Sequence, residues 1–399
     1  MKKVRDGYKI TELGEIPSDW NIMKLSEVAE IVMGQSPDSS SYNDTEGGVA
    51  FFQGKTEFGR INPVVKKWCN NPTKISKPLD ILISVRAPVG DVNINNIEAC
   101  IGRGLGAIRA TSSSNYKYLY YAIQKYNNQL KKASQGSTFE AINSNDLKGL
   151  KLPIPHIDEQ EKIALILSNV DEQIDNVDAL IEKNKELKKG LMQTLLTNGI
   201  GHTKFKKTEI GEIPEEWDVK KLECVFEILD SMRKPIKASD REKIEGNIPY
   251  YGASGVIDWI NDYIFDEELI LLGEDGENLN SRNSDLAFKI SGKTWVNNHA
   301  HVFRVINKKE CNIDFMVYYL EAKDYSIYIA GSAQPKITQA QCRKFLLPLP
   351  EKQEQDKIAS ILLESDKKIE EYENKKQKLE ELKKGLMQQL LTGMIRVTV

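Results

Sequence analysis

Two histidines in Asn297-Asn298-His299-Ala300-His301 are the residues whose type and spacing most suggest chemistry. His299 and His301 could ligate zinc or serve a metal-dependent nuclease, but a structural zinc takes four ligands. The five cysteines (Cys69, Cys100, Cys224, Cys311, Cys342) are scattered and form no Cys-x-x-Cys pair. Gly273-Glu274-Asp275-Gly276-Glu277 could bind a cation through its oxygens, yet it reads more simply as a solvated acidic turn. Gly102-Arg103-Gly104-Leu105-Gly106 suggests a phosphate loop. It lacks both the Lys-Ser/Thr of a P-loop and the full dinucleotide pattern, so a structural turn is expected. No Pro-Pro dipeptide exists to build the Asn/Asp-Pro-Pro-Tyr/Phe loop of an adenine methyltransferase. With four histidines in 399 residues, neither a catalytic constellation nor a metal site is expected.

A second chemistry is available. Arg, Lys, Asn, Gln and Ser at loop tips match the donors and acceptors on base edges. Glycine- and asparagine-rich turns offer such side chains twice. The first half supplies Gln35, Ser36, Lys55, Arg60, Arg86 and Arg103. The second supplies Arg233, Lys234, Ser254, Arg282, Asn298, His299, Gln334 and Lys336. A net charge of −3 argues against a basic footprint. The average hides a local field, however, because residues 50–152 carry 15 basic groups against 6 acidic ones. Charge alone therefore leaves a nucleic-acid partner open.

These side chains sit on a chain that is written twice. TELGEIPSDWNIMKL from Thr11 returns as TEIGEIPEEWDVKKL from Thr208. LPIPHIDEQEKIA (152–164) returns as LPLPEKQEQDKIA (347–359), and ELKKGLMQTLLT (186–197) as ELKKGLMQQLLT (381–392). Between these anchors the copies diverge. FFQGKTEFGRINP and SVRAPVGDV have no close counterpart, and the second copy carries YYGASGVIDWI and GEDGENLNSRNS instead. One scaffold thus carries two different heads.

The anchors predict their own structure. Leu-Pro-x-Pro should be extended, since proline disfavours helix at the residue before it. Asp158 can then cap a helix. Its apolar seam runs through Ile163, Leu167, Val170, Ile174, Val177 and Ile181, then Asn184, Lys188, Leu191 and Leu195. Asn198-Gly199 supplies the stop. The twin seam runs from Ile358 to Leu390 and is less apolar in its middle. Helices this long cannot bury a stripe alone, and the nearest partner is the twin, side by side in a parallel or antiparallel sense. ILISV (81–85) and LILLG (269–273) read as buried strands. NYKYLYYAIQ (115–124) and IDFMVYYLEA (313–322) read as matching helices whose tyrosines pack in the core. Gly190 and Gly385, inside the helices, mark a late irregularity or a close contact with another helix.

At this point the residues resemble a family: the DNA specificity subunit (HsdS) of type I restriction-modification systems. The resemblance rests on the repeated LGEIPxxW opening, the LP-x-P-x₃-EQ-x-x-IA entry to a long helix, and the repeated ELKKGLMQ-x-LLT end. It covers nearly the whole chain, and SVRAPVGD with IGRGLGAI resembles one common type of recognition domain. The resemblance implies antiparallel pairing of the conserved helices. It implies two α/β (α+β) target-recognition domains of mixed strands and helices, related by a pseudo-twofold internal repeat. Residues 1–155 and 201–350 would be those domains, and 156–200 and 351–399 the helices of the coiled coil. It further implies a non-catalytic subunit reading a bipartite, asymmetric target in double-stranded DNA. Two methyltransferase subunits, and restriction subunits in the full complex, would be partners. S-adenosylmethionine, ATP and Mg would belong to them, and none to this chain. The alternative is a two-headed coiled-coil scaffold for a non-DNA ligand. No stretch approaches the ~18 apolar residues of a membrane span, and the basic start lacks an apolar signal region, so the cytoplasm is expected.

Overall fold

The computed structural model describes residues 4–134, 140–329 and 335–397. The chain divides into two compact units, residues 1–178 with 374–399 and residues 179–373.

The first unit opens with a hairpin, Tyr8–Thr11 against Gly14–Pro17. Strand Asn21–Lys24 then pairs antiparallel with Lys151–Ile154, so the Trp20 block and the Leu-Pro-x-Pro block, far apart in sequence, close the domain together. Between them lie two sheets. One is antiparallel, in the order Val92–Ile94, Ile81–Ser84, Leu105–Ala110, Ala29–Met33. The other has five short strands and one parallel pair, Val49–Phe52 with Ala99–Ile101. The helix Tyr116–Tyr126, capped by Asn115, buries Tyr118, Tyr120 and Tyr121 beside Ile81, Ile83 and Ile108.

The second unit repeats this plan with other residues. Asp218–Lys221 pairs with Leu346–Leu349. An antiparallel sheet runs Phe226–Ile228, Ala300–Val305, Leu269–Gly273, Ala287–Ile290. A second sheet again contains one parallel pair, Glu245–Gly252 with Lys293–Val296. The helix Ile313–Ala322, capped by Asn312, packs Phe315, Met316 and Tyr318 inward. The antiparallel sheets of the divergent middles therefore share a strand order, and Tyr118, Tyr120, Tyr121 and Tyr318 are core residues as expected, whereas Tyr116 and Tyr319 are only partly buried.

The two long helices are Ile157–Asn198 and Lys352–Leu390. The first starts just before Asp158, which lies in the first turn, where a carboxylate meets the positive end of the helix dipole. It stops where Gly199 takes φ +65°, a conformation glycine adopts without steric cost. Within the first unit Lys383 meets Asp171 at 2.8 Å and Lys376 meets Asp178 at 2.7 Å. Within the second, Lys188 meets Asp366 and Lys185 meets Glu373. Positions rise on one helix as they fall on the other, so the pairing is antiparallel. The seam residues Ile163 to Ile181 are buried, and the polar interruption at Asn184 is buried too.

The repeated anchors hold each domain to its helix by the same bonds. Trp20 is fully buried and donates its indole N–H to Glu159 at 3.0 Å, and Trp217 does the same to Glu354 at 2.9 Å. A buried indole needs such an acceptor. Gln160 accepts from the Asn115 amide and donates to the Pro155 carbonyl. Gln355 accepts from the Asn312 amide and donates to the Pro350 carbonyl. Each glutamine thus satisfies the start of one helix and the end of one strand, which explains why Glu-Gln recurs.

Candidate nucleic-acid interface

In the first unit three of the expected residues converge. Lys55, Arg86 and Arg103 line one open cleft with Gln53, Thr56 and Pro88. The Gly102–Gly106 turn makes this possible. A Cβ on Gly104 would lie 2.4 Å from the Gln53 carbonyl oxygen, so only glycine lets the two loops approach. This is a structural turn rather than a phosphate loop, and it carries Arg103 to the rim. The Ser36 hydroxyl accepts from the Arg103 amide at 3.2 Å, and the Gln35 amide donates to the Ile101 carbonyl, so both brace that turn. Lys55 is paired with Asp91 and remains nearly half exposed. Arg86 and Arg103 are exposed, and their guanidinium groups have no ion-pair or hydrogen-bond partner among the described residues.

Arg60 lies elsewhere. Its guanidinium bonds Asp175, and both the carboxylate (3.0 Å) and the carbonyl oxygen (2.5 Å) of Asp171, on the first long helix. Burial would lower its pKa, but these two carboxylates outweigh that and raise it.

The second unit shows a different disposition. Arg233 is drawn inward, donating to Glu274 at 2.5 Å and to the Ala300 carbonyl at 2.6 Å. Lys336 pairs with the same Glu274 at 2.8 Å. Buried His301 bonds Asp230 through Nδ1 at 2.6 Å and the Ile337 carbonyl through Nε2 at 2.9 Å. A carbonyl can only accept, so Nε2 carries a proton. Burial would lower the pKa of His301, but bonding to Asp230 and Cys342 raises it to about 10. Burial pushes Glu274 up, yet Lys336 and Arg233 hold it below its usual value. The acidic turn is therefore not solvated at Glu274, which corrects the sequence expectation. Asp230, Glu274 and His301 do bring ligand atoms within 4.8 Å of one another. Asp230 and Glu274 already hold proton donors and cations, and both ring nitrogens of His301 are spent on the Asp230 carboxylate and the Ile337 carbonyl, which does not fit a metal ion.

Arg282 has φ +50° and is bonded to the Glu321 carbonyl. Lys234, Ser254 and Asn298 are exposed. His299 is half exposed and bonds Asp275 at 2.9 Å through Nδ1. Gln334 lies outside the described residues.

Sheet register aligns the two heads where sequence could not. Ser84 pairs with Leu105, and Gly273 with Ala300. One step further, the Val85 amide donates to Gly104 and the Glu274 amide to His299. Ile142 then bonds Val85 as Ile337 bonds Glu274, and Arg86 bridges Ala141 as Asp275 bridges Lys336. Asp275 thus occupies the place of Arg86, and Asn298 the place of Arg103. Asn298 stands among the residues expected from sequence, Asp275 was expected only in the acidic turn, and no motif marks the two tips as equivalent.

The type I restriction modification DNA specificity domain matches residues 17–188 and again residues 214–381. The putative MjaX specificity subunit of Methanocaldococcus jannaschii is 42% identical over 197 residues, which is 48% of this chain and 46% of that one. The MjaVIII specificity subunit of the same organism is 28% identical over 411 residues, covering 96% and 94%. The solved S subunit of a type I restriction-modification system from M. genitalium shares the fold, with a TM-score of 0.64 at 17% identity over 97% of each chain. No helix among the described residues is long and apolar enough to cross a membrane. With both copies of its repeat matched, the chain belongs to the family of type I restriction-modification DNA specificity subunits.

Proposed function

We propose that this chain is the DNA sequence-recognition subunit of a type I restriction-modification complex, reading a split, asymmetric target with one head per half-site. The observation that carries this reading is chemical. One scaffold, repeated with its anchors intact, presents two heads whose tips differ in charge at the same register positions. Identical heads would suit a symmetric target, and these heads differ. Phosphate contacts would position each head and base-edge contacts would specify the sequence. The long helices act as the spacer that sets the gap between half-sites.

Catalysis belongs to partners in this reading. Two methyltransferase subunits supply adenine methylation with S-adenosylmethionine, and restriction subunits supply ATP- and Mg-dependent cleavage, all in the cytoplasm. The twin helix ends support paired docking. Leu187 and Leu382 are each about half exposed, at 57% and 49%. Gly190 and Gly385 face open space, with nothing within 4 Å of an added Cβ. Equivalent surfaces suit two copies of one partner.

Binding of the partner-bound chain to duplex DNA across a salt series tests the reading. Displacement of counterions makes log K fall linearly with log salt. A steep negative slope is expected, and weak binding independent of salt contradicts it.

A further inference from the structure

We propose that the two heads differ at one matched pair of positions that chooses the base: Arg86 and Arg103 read guanine in the first half-site, whereas Asp275 and Asn298 read a base offering an exocyclic amino group in the second. This rests on the DNA-reading function proposed above and adds the base chemistry to it.

Arg86 and Asp275 each follow the buried central strand of their sheet by two residues and bridge an equivalent backbone position. Arg103 and Asn298 each precede the neighbouring strand by two. The scaffold therefore offers the same two sites in both heads and fills one with opposite charge and the other with a neutral amide in place of a cation.

A guanidinium only donates, and its planar fork matches the O6 and N7 acceptors of guanine. Adenine places an amino group where guanine has O6, so a donor meets a donor and the bidentate contact fails. Arg86 and Arg103 are available for this contact because no described residue pairs with their side chains. A carboxylate only accepts, and a carboxamide both donates and accepts. Asn298 suits the N6–H and N7 of adenine, and Asp275 suits an amino hydrogen of adenine or cytosine. Asp275 is held in place by His299 Nδ1, and Arg103 by the Ser36 hydroxyl beneath its amide. Arg233, beside this tip, is bonded inward to Glu274 and the Ala300 carbonyl, and Arg282 is bonded to the Glu321 carbonyl, so neither guanidinium is free among the described residues.

The test uses the full chain expressed with its methyltransferase, with methylated sites mapped genome-wide for the wild type, Arg86→Lys, Arg103→Lys and Asn298→Ala. Lysine keeps the charge and loses the fork. Each lysine variant should relax discrimination at a guanine of one half-site by roughly 5- to 150-fold, the range expected of one bidentate contact, and leave the other half-site strict. Asn298→Ala should relax an adenine position in the opposite half-site only. Duplexes carrying 7-deazaguanine, which lacks the N7 acceptor, give a readout on unaltered protein. The wild type should bind them more weakly, and each lysine variant should lose that penalty only at the guanine its altered side chain contacted, keeping it at the guanine read by the other arginine. Unchanged strictness in both lysine variants, or no penalty from 7-deazaguanine, overturns the assignment while leaving DNA recognition intact. A wild type that directs no split target overturns the underlying reading instead.

Discussion

Tyr121 donates its hydroxyl proton to Asp171 at 2.6 Å, joining the helix of the first head to the first long helix. Tyr318 donates to Asp366 at 2.5 Å in the second unit. A lysine of the antiparallel helix completes each carboxylate, Lys383 in one and Lys188 in the other. Burial first, then the adjoining carboxylate, raises both tyrosine pKa values well above their usual range. The two heads are thus fixed to the helices by one duplicated three-residue joint.

The joints differ in depth, which predicts unequal costs. Asp171 is buried and also holds Arg60. Its replacement by alanine strands three partners, so a loss of about 3–5 kcal/mol is expected for the first unit. Asp366 is more than a third exposed and holds two partners, so Asp366→Ala should cost about 1–3 kcal/mol. Denaturant unfolding of the two variants checks the order, and equal losses would contradict it.

The cluster beneath the second tip predicts a pH window. His301 has a pKa raised above its ordinary 6.5 to about 10. Its contribution is complete below about 6.5 and disappears as the pH rises through about 10. Asp230 and Glu274 are held below their ordinary values, so their contribution is present at neutrality and disappears on acidification. Stability of the second unit should therefore fall on both sides of neutrality. His301→Gln should remove most of the alkaline slope, as read by unfolding midpoints from pH 7 to 10.

The helix glycines separate folding from docking. Gly190→Ala and Gly385→Ala should each stabilise the chain by up to ~1 kcal/mol, because nothing opposes the added methyl group. The same changes, or Leu187→Glu with Leu382→Glu, should weaken co-purification with the methyltransferase. Undiminished capture by the double glutamate variant would place the partner elsewhere.

Much of this was legible in the sequence. The repeat placed the two helices, and the tyrosine-rich segments fell inside the domains, because hydrophobic periodicity and anchor spacing are local properties. Their antiparallel sense was open to sequence, since one apolar seam fits parallel or antiparallel pairing. The heads were harder. Arg60 and Arg233 look like free cations in a one-dimensional reading, and only tertiary contact shows Asp171 and Glu274 against them. The equivalence of Arg86 with Asp275 was hidden because the loops share no residues, and sheet register alone aligns them.

The spacer role predicts a change in the gap between half-sites. Deleting one heptad from each long helix at facing positions (174–180 and 374–380) removes roughly 10 Å at 1.5 Å per residue. That is about 3 base pairs at 3.4 Å each. The gap should shorten by that order with both half-sites unchanged. An unaltered gap in an active variant would exclude the helices as the spacer.

The central claim is that one chain reads two unlike half-sites, and mapping the sites methylated when the wild-type chain is expressed with its methyltransferase tests it most directly. The expected result is a single split motif with two different halves separated by a gap of fixed length. A continuous motif, a palindrome, or methylation unchanged by omitting this chain would contradict it.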